Sequence, residues 1–258
     1  MTAVQDCIYC KRPVRKANVE HILPDALGCP PTFVLNDCVC IPCNNGLGHV
    51  DRALLRQFEI VAFMRGVPRK AGRPPMIDSW AGIRGRVTAS GPEFHLNAGP
   101  QTVESFGSNL TAASQRGGVH SVSMGPRVVG ERCDIGFKQE FGRDPKLRRA
   151  LYKVGFGALA YFLGRAEALR ACYDPARAFV RKGEGQFDVL MLADQAGGEH
   201  FFGPPILLPG CDLPVFELAI FGVWFLVDLD PAQKGLAVMR SALTQREVAN
   251  WMILPRAA

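Results

Sequence analysis

Val19-Glu20-His21-Ile22-Leu23-Pro24 lies between Cys7-Ile8-Tyr9-Cys10 and Cys40-Ile41-Pro42-Cys43-Asn44-Asn45-Gly46. These three stretches decide the fold of the N-terminal part. A CxxC turn sets two thiolates on one side of a tight loop, where both can reach one ion. Two such turns complete a tetrahedral four-thiolate site, the usual geometry of structural zinc. Between the pairs lie 29 residues, more than a compact finger holds, so this segment is expected to form structure of its own. A redox CxxC usually occurs singly beside a βαβ pattern, which this sequence lacks. Cys38-x-Cys40 offers a different ligand, but only Cys40 with Cys43 repeats the spacing of Cys7 with Cys10. Cys29 and Cys38 then read as apolar fillers.

Inside the cysteine frame stands a polar set. Val19, Ile22 and Leu23 around Glu20-His21 suggest a short strand that anchors an acid beside an imidazole. Asn36 precedes the second pair, and Asn44 follows it directly. Carboxylate and amide oxygens suit a hard cation such as Mg²⁺, which keeps waters and substrate phosphate as its other ligands. A neutral imidazole nearby can take a proton from water.

The run Cys-x-x-Cys, Glu-His-Ile-Leu-Pro, Leu27-Gly28, Leu35-Asn36, Cys-x-x-Cys-Asn-Asn, Asp51 resembles the HNH endonucleases, over residues 5–55 or so. It is most similar to the subgroup with a zinc-stapled ββα-metal core and a final Asn. The resemblance implies Glu20 and Asn44 as ligands of a catalytic Mg²⁺ or Mn²⁺, and His21 as general base. It implies Asn36 as the residue that orients the histidine, and Cys7, Cys10, Cys40 and Cys43 as ligands of structural Zn²⁺. His49 is an alternative to Asn44, and Asp51 is placed near the metal or at a helix start. The family's paired glycine is here Gly28-Cys29, and the final Asn weakens a case for catalytic zinc.

Outward from this frame the signals thin. The chain has 258 residues, 48% of them hydrophobic and 21% charged, with mean hydropathy +0.05. That excludes a disordered or collagen-like chain. No apolar run is long enough for a transmembrane helix, and Met1–Cys10 shows no secretory pattern. Nine cysteines without such a leader argue against a disulfide framework and for a cytoplasmic location. The net charge is +6, and residues 61–160 alone carry +8. Arg65, Arg69, Lys70 and Arg73 follow the cysteine module and are candidates for contact with a phosphate backbone. A second basic group is Arg143, Lys146, Arg148 and Arg149.

Pattern predicts an α+β protein: residues 1–65 as the zinc-stapled module, 66–82 as a basic Pro/Gly-rich linker, and 83–258 as a larger α+β domain. In that domain the sheet is expected to be mostly antiparallel. A helix is read over 51–65, and a long buried helix from Pro145 to about Cys172. Strands are expected in 83–97, 119–129, 186–193, 199–208 and 216–229, the last as one strand buried on both faces. Thr244 with Glu247 has capping-box spacing and predicts a closing helix to Met252.

Two functions compete. The first is a metal-dependent endonuclease acting on nucleic acid, DNA foremost. The second is a non-catalytic zinc-ribbon regulator with a C-terminal sensing domain. The larger domain is a candidate for homo-oligomer or regulatory contacts. It contains no phosphate loop, GxSxG or HExxH, and His95, His120 and His200 stand alone in it.

Overall fold

The computed structural model describes residues 5–69, 72–73, 75–80, 83–88, 91–96, 126–129, 132–135, 141–142, 144–193 and 198–254, with the backbone alone between 78 and 135. Lys70, His120 and Arg143 lie outside the described residues.

The N-terminal module is a two-stranded antiparallel ribbon followed by a helix. Strand β1 (Glu20–His21) pairs with β2 (Val34–Leu35), Glu20 opposite Leu35 and His21 opposite Val34. Alternation across the pleat puts Glu20 and Leu35 on the buried face and leaves His21 and Val34 half-buried on the other. Helix α1 runs from Ile41 to Met64, ten residues earlier than the apolar period beginning at Asp51 suggests. Pro42 fits its first turn. Leu47, Val50, Leu54 and Phe58 then form the stripe that it buries.

The second helix, α2 (Pro145–Ala168), is the long buried helix expected from the sequence. Asp144 caps it by accepting from the Lys146 amide at 2.9 Å, and Pro145 opens the first turn. Every side chain from Ala150 to Ala160 is buried. The regular helix breaks at Gly164, whose φ of 87° and ψ of 165° suit only glycine. Helix α3 (Asp174–Lys182) returns along it.

The main sheet has five antiparallel strands in the order β12-β8-β11-β10-β9. These are β8 (Val189–Ala193), β9 (Phe201–Phe202), β10 (Val215–Ile220), β11 (Val223–Asp228) and β12 (Trp251–Ile253). A three-stranded sheet, β3 (Met76–Trp80), β4 (Ile83–Thr88) and β5 (Gly91–Leu96), and a hairpin of β6 (Pro126–Val129) with β7 (Arg132–Ile135) complete the described strands. Strand β3 occupies the end of the stretch read as linker.

Two expectations are corrected. Residues 216–229 are a hairpin rather than one strand, turning at Phe221-Gly222, where φ is 51° and 80°. Both central residues of a tight type I′ turn need positive φ, so an apolar Phe-Gly pair hides the turn in an apolar run. The closing helix is also misplaced. Helix α4 spans Lys234–Gln245, so Thr244 lies in its last turn, and Trp251–Ile253 pairs with β8 as an edge strand.

Among the described residues, one hydrophobic core joins the module, α2 and the main sheet. It contains Cys7, Tyr9, Ile22, Leu27, Phe33 and Phe58 of the module, Leu151, Phe156 and Leu159 of α2, and Val189, Phe216 and Phe225 of the sheet. The module therefore has an apolar core as well as its cysteines. Helix α2 is the shared wall. A Cβ on Gly155 would meet Val227 Cγ1 of β11 at 2.9 Å, and one on Gly157 would meet Ile22 Cγ2 at 2.9 Å.

Candidate functional site

The sulfurs of Cys7, Cys10, Cys40 and Cys43 all lie within 4.8 Å of one another. Cys10 Sγ and Cys40 Sγ are 3.7 Å apart. A tetrahedral ion with metal–sulfur bonds near 2.3 Å sets its sulfurs about 3.8 Å apart, so the donor set fits zinc. Among the described residues this is the one group of three or more His, Cys, Asp or Glu side chains placed to share an ion. A hydrogen bond from the Cys43 thiol is the largest influence on Cys7, helped by the amides of Cys40, Cys10 and Tyr9. Together they hold the Cys7 thiol down to about 4 against burial, while the Cys43 thiol is pushed up. The cluster thus favours a thiolate even before an ion joins it. Cys29 is not part of it: its thiol donates to the Phe33 carbonyl at 3.2 Å, and burial raises it to about 11. Cys38 packs half-buried against the core.

Glu20 is 4% exposed, and its Oε1 lies 2.5 Å from Lys153 Nζ of α2. The same ammonium reaches Asp51 Oδ1 and Oδ2 of α1 at 2.8 and 2.9 Å. Three charges from three elements thus meet below the ribbon. Burial raises the Glu20 carboxyl above its usual range, and the Lys153 ammonium opposes that rise. Lysine is rarely fully buried unless paired, and Lys153 is 2% exposed. No sequence motif marked Lys153 as a site residue. The available signal was one lysine inside the apolar, glycine-containing run Leu151–Ala160, which demands a buried counter-charge.

His21 projects from the opposite face of β1 and is half-buried. Asn36 is exposed, one residue beyond β2. Asn44 is half-buried in the first turn of α1. Asn44 and Asp51 are seven residues apart on that helix, so they share one face of it, about two turns from each other. Carboxylate and amide oxygens are the donor types that a hard ion prefers. Since Lys153 holds Oε1, Oε2 is the oxygen with which Glu20 would meet an ion. His49 Nδ1 is engaged with the Gly46 carbonyl at 2.8 Å.

The basic candidates divide. Arg65 and Arg73 are exposed. Arg69 pairs with Glu59 at 3.3 Å and donates to the Met76 carbonyl. In the second group, Arg149 donates to the Val180 and Arg181 carbonyls at the end of α3, and Arg148 pairs with Asp188 at 3.5 Å. Those two arginines join elements of the fold. His200 does likewise, with Nε2 2.7 Å from the Leu27 carbonyl. The His95 side chain lies outside the described residues. No helix among the described residues is long and apolar enough to cross a membrane.

Residues 7–59 match the family model described as HNH endonuclease. No curated protein and no solved structure matches the chain.

Proposed function

We propose that the N-terminal module is a metal-dependent nuclease that hydrolyses phosphodiester bonds of nucleic acid, DNA foremost. The observation that carries this reading is the placement of Glu20 and His21. They are consecutive on a ribbon next to the four-cysteine cluster, Glu20 on its buried face and His21 on the more open one, within the segment that matches the HNH endonuclease model.

In this reading Cys7, Cys10, Cys40 and Cys43 hold structural Zn²⁺. Glu20 and Asn44 would hold Mg²⁺ or Mn²⁺ through their side-chain oxygens. When bound, that ion supplies charge stabilisation at the scissile phosphate. His21 takes the proton of the attacking water, and its half-buried position leaves the ring accessible for that step. Asn36 limits the swing of the imidazole from the same side of the ribbon. Arg65 and Arg73 track the phosphate backbone, with Lys70 between them in sequence. Residues 1–65 are the cutting unit, and α2 with the main sheet supplies its supporting wall.

The test is cleavage of plasmid DNA with Mg²⁺ or Mn²⁺ by wild type and His21→Ala. General-base removal is expected to lower the rate by roughly 10²–10⁴-fold. Equal cleavage by both proteins would sink the mechanism. Wild type that binds DNA yet never cuts would favour the zinc-ribbon regulator.

A further inference from the structure

The Lys153 ammonium contacts both carboxylates of the ribbon–helix junction, at 2.5 Å from Glu20 Oε1 and 2.8 Å from Asp51 Oδ1. It comes from the middle of α2, outside the segment that matches the family model. Its helix cannot slide easily, because Gly155 lies on Val227 and Gly157 on Ile22 with no room for a methyl group. A positive charge on one oxygen of a carboxylate lies within a few ångströms of any cation on the other. Like charges at that range repel strongly in a dry site.

We propose that Lys153 is a positioning residue of the ion site, the resident counter-cation of Glu20. It confines Glu20 to one-oxygen coordination and weakens divalent-ion binding. This rests on the reading of Glu20 as an ion ligand. Two carboxylates and one ammonium leave a net charge of −1. Without the ammonium, Glu20 and Asp51 face each other uncompensated, and a divalent cation becomes the natural replacement. The central helix thus sets ion affinity through a group that touches neither substrate nor ion.

The experiment uses the zinc-loaded full chain. Mn²⁺ binding is followed by the electron-paramagnetic signal of free Mn²⁺ at pH 8.5, where a proton is a poor substitute for the ammonium. Lys153→Met is expected to bind Mn²⁺ at least about tenfold more tightly than wild type, and its thermal midpoint to rise more with Mn²⁺. Lys153→Arg, which keeps the charge, is expected to stay close to wild type. A merely structural lysine would lower the midpoint and leave Mn²⁺ affinity unchanged.

Unchanged or weaker binding in Lys153→Met, with binding lost in Glu20→Gln, overturns the role of Lys153 and leaves the nuclease reading standing. Unchanged binding in Glu20→Gln overturns the ligand assignment and this inference with it. Should Lys153→Met not fold, wild type labelled with ¹⁵N at lysine Nζ provides the measurement. Saturating Mg²⁺ is expected to move the Lys153 resonance, assigned with Lys153→Arg, and a fixed resonance overturns the proposal.

Discussion

Gly157 of α2 stands directly against Ile22, the residue that follows His21: a Cβ there would lie 2.9 Å from Ile22 Cγ2. The contact joins the central helix to the strand carrying the candidate base, and neither side can yield without moving a packed element. Gly157→Ala is therefore expected to destabilise by about 1–3 kcal/mol, the overpacking cost, despite the helix propensity of alanine. Gly46 in α1 is the contrasting position, with nothing within 4 Å of its would-be Cβ. Gly46→Ala should stabilise by about 0.5–1 kcal/mol. Urea unfolding of the two variants measures both signs, and a stabilised Gly157→Ala would refute the tight contact.

Four sulfurs within 4.8 Å of one another can serve as one ligand set. Cys40→Ser is expected to lose the single zinc per chain measured by elemental analysis. Because metal binding is folding free energy in such modules, its thermal midpoint should also fall. Retention of stoichiometric zinc by Cys40→Ser would contradict the assignment.

Arg177 of α3 donates to the Ile8 carbonyl, inside the first CxxC turn, at 2.6 Å. It also pairs with Asp174 and lies over the Phe156 ring, 5.3 Å from its centroid. Charged hydrogen bonds of this kind contribute about 1.5–3 kcal/mol each. Arg177→Met should cost about 2–4 kcal/mol and speed zinc loss to a chelator, because the turn loses its outer support. Zinc release at the wild-type rate would show that the turn needs no such brace.

Tyr9, Tyr152 and Tyr173 all have phenols raised above the usual range, chiefly by burial. The folded chain thus favours the neutral phenol, while the unfolded chain ionises near pH 10. Their contribution to stability is complete below that pH and is lost as pH climbs past it. Tyr152 OH lies 2.9 and 2.8 Å from the Asp188 and Asp228 carbonyls, which share its one proton. Tyr152→Phe should cost about 1–2 kcal/mol at pH 7 and make the alkaline loss of stability shallower. Denaturant midpoints from pH 8 to 11 test this, and identical slopes would refute it.

How much of this was legible in the sequence depended on distance along the chain. The cysteine pairs and Glu20-His21 could be read because their partners recur at fixed local spacings. The start of α1 was hidden, since Cys43, the two asparagines, Gly46 and Gly48 read as loop, and only Leu47 and Val50 continue the apolar stripe. The hairpin at Phe221-Gly222 was hidden because both of its strands are buried, so no polar break marks the turn. The Thr244–Glu247 spacing misled because capping depends on where the helix starts, and α4 starts at Lys234. Lys153 was beyond local reading, because Asp51 lies 102 residues upstream and only the fold brings the two together.

The shared core also has a consequence for the order of synthesis. The cysteine module leaves the ribosome before α2, yet α2 lines its inner side and brings the lysine that neutralises Glu20. Until α2 has emerged, Tyr9, Ile22 and Phe33 lack the wall they pack against, and Glu20 and Asp51 lack their counter-charge. The module therefore completes its packing only when much more of the chain has been translated. A prematurely terminated product carrying all four cysteines would leave that apolar face of the module uncovered.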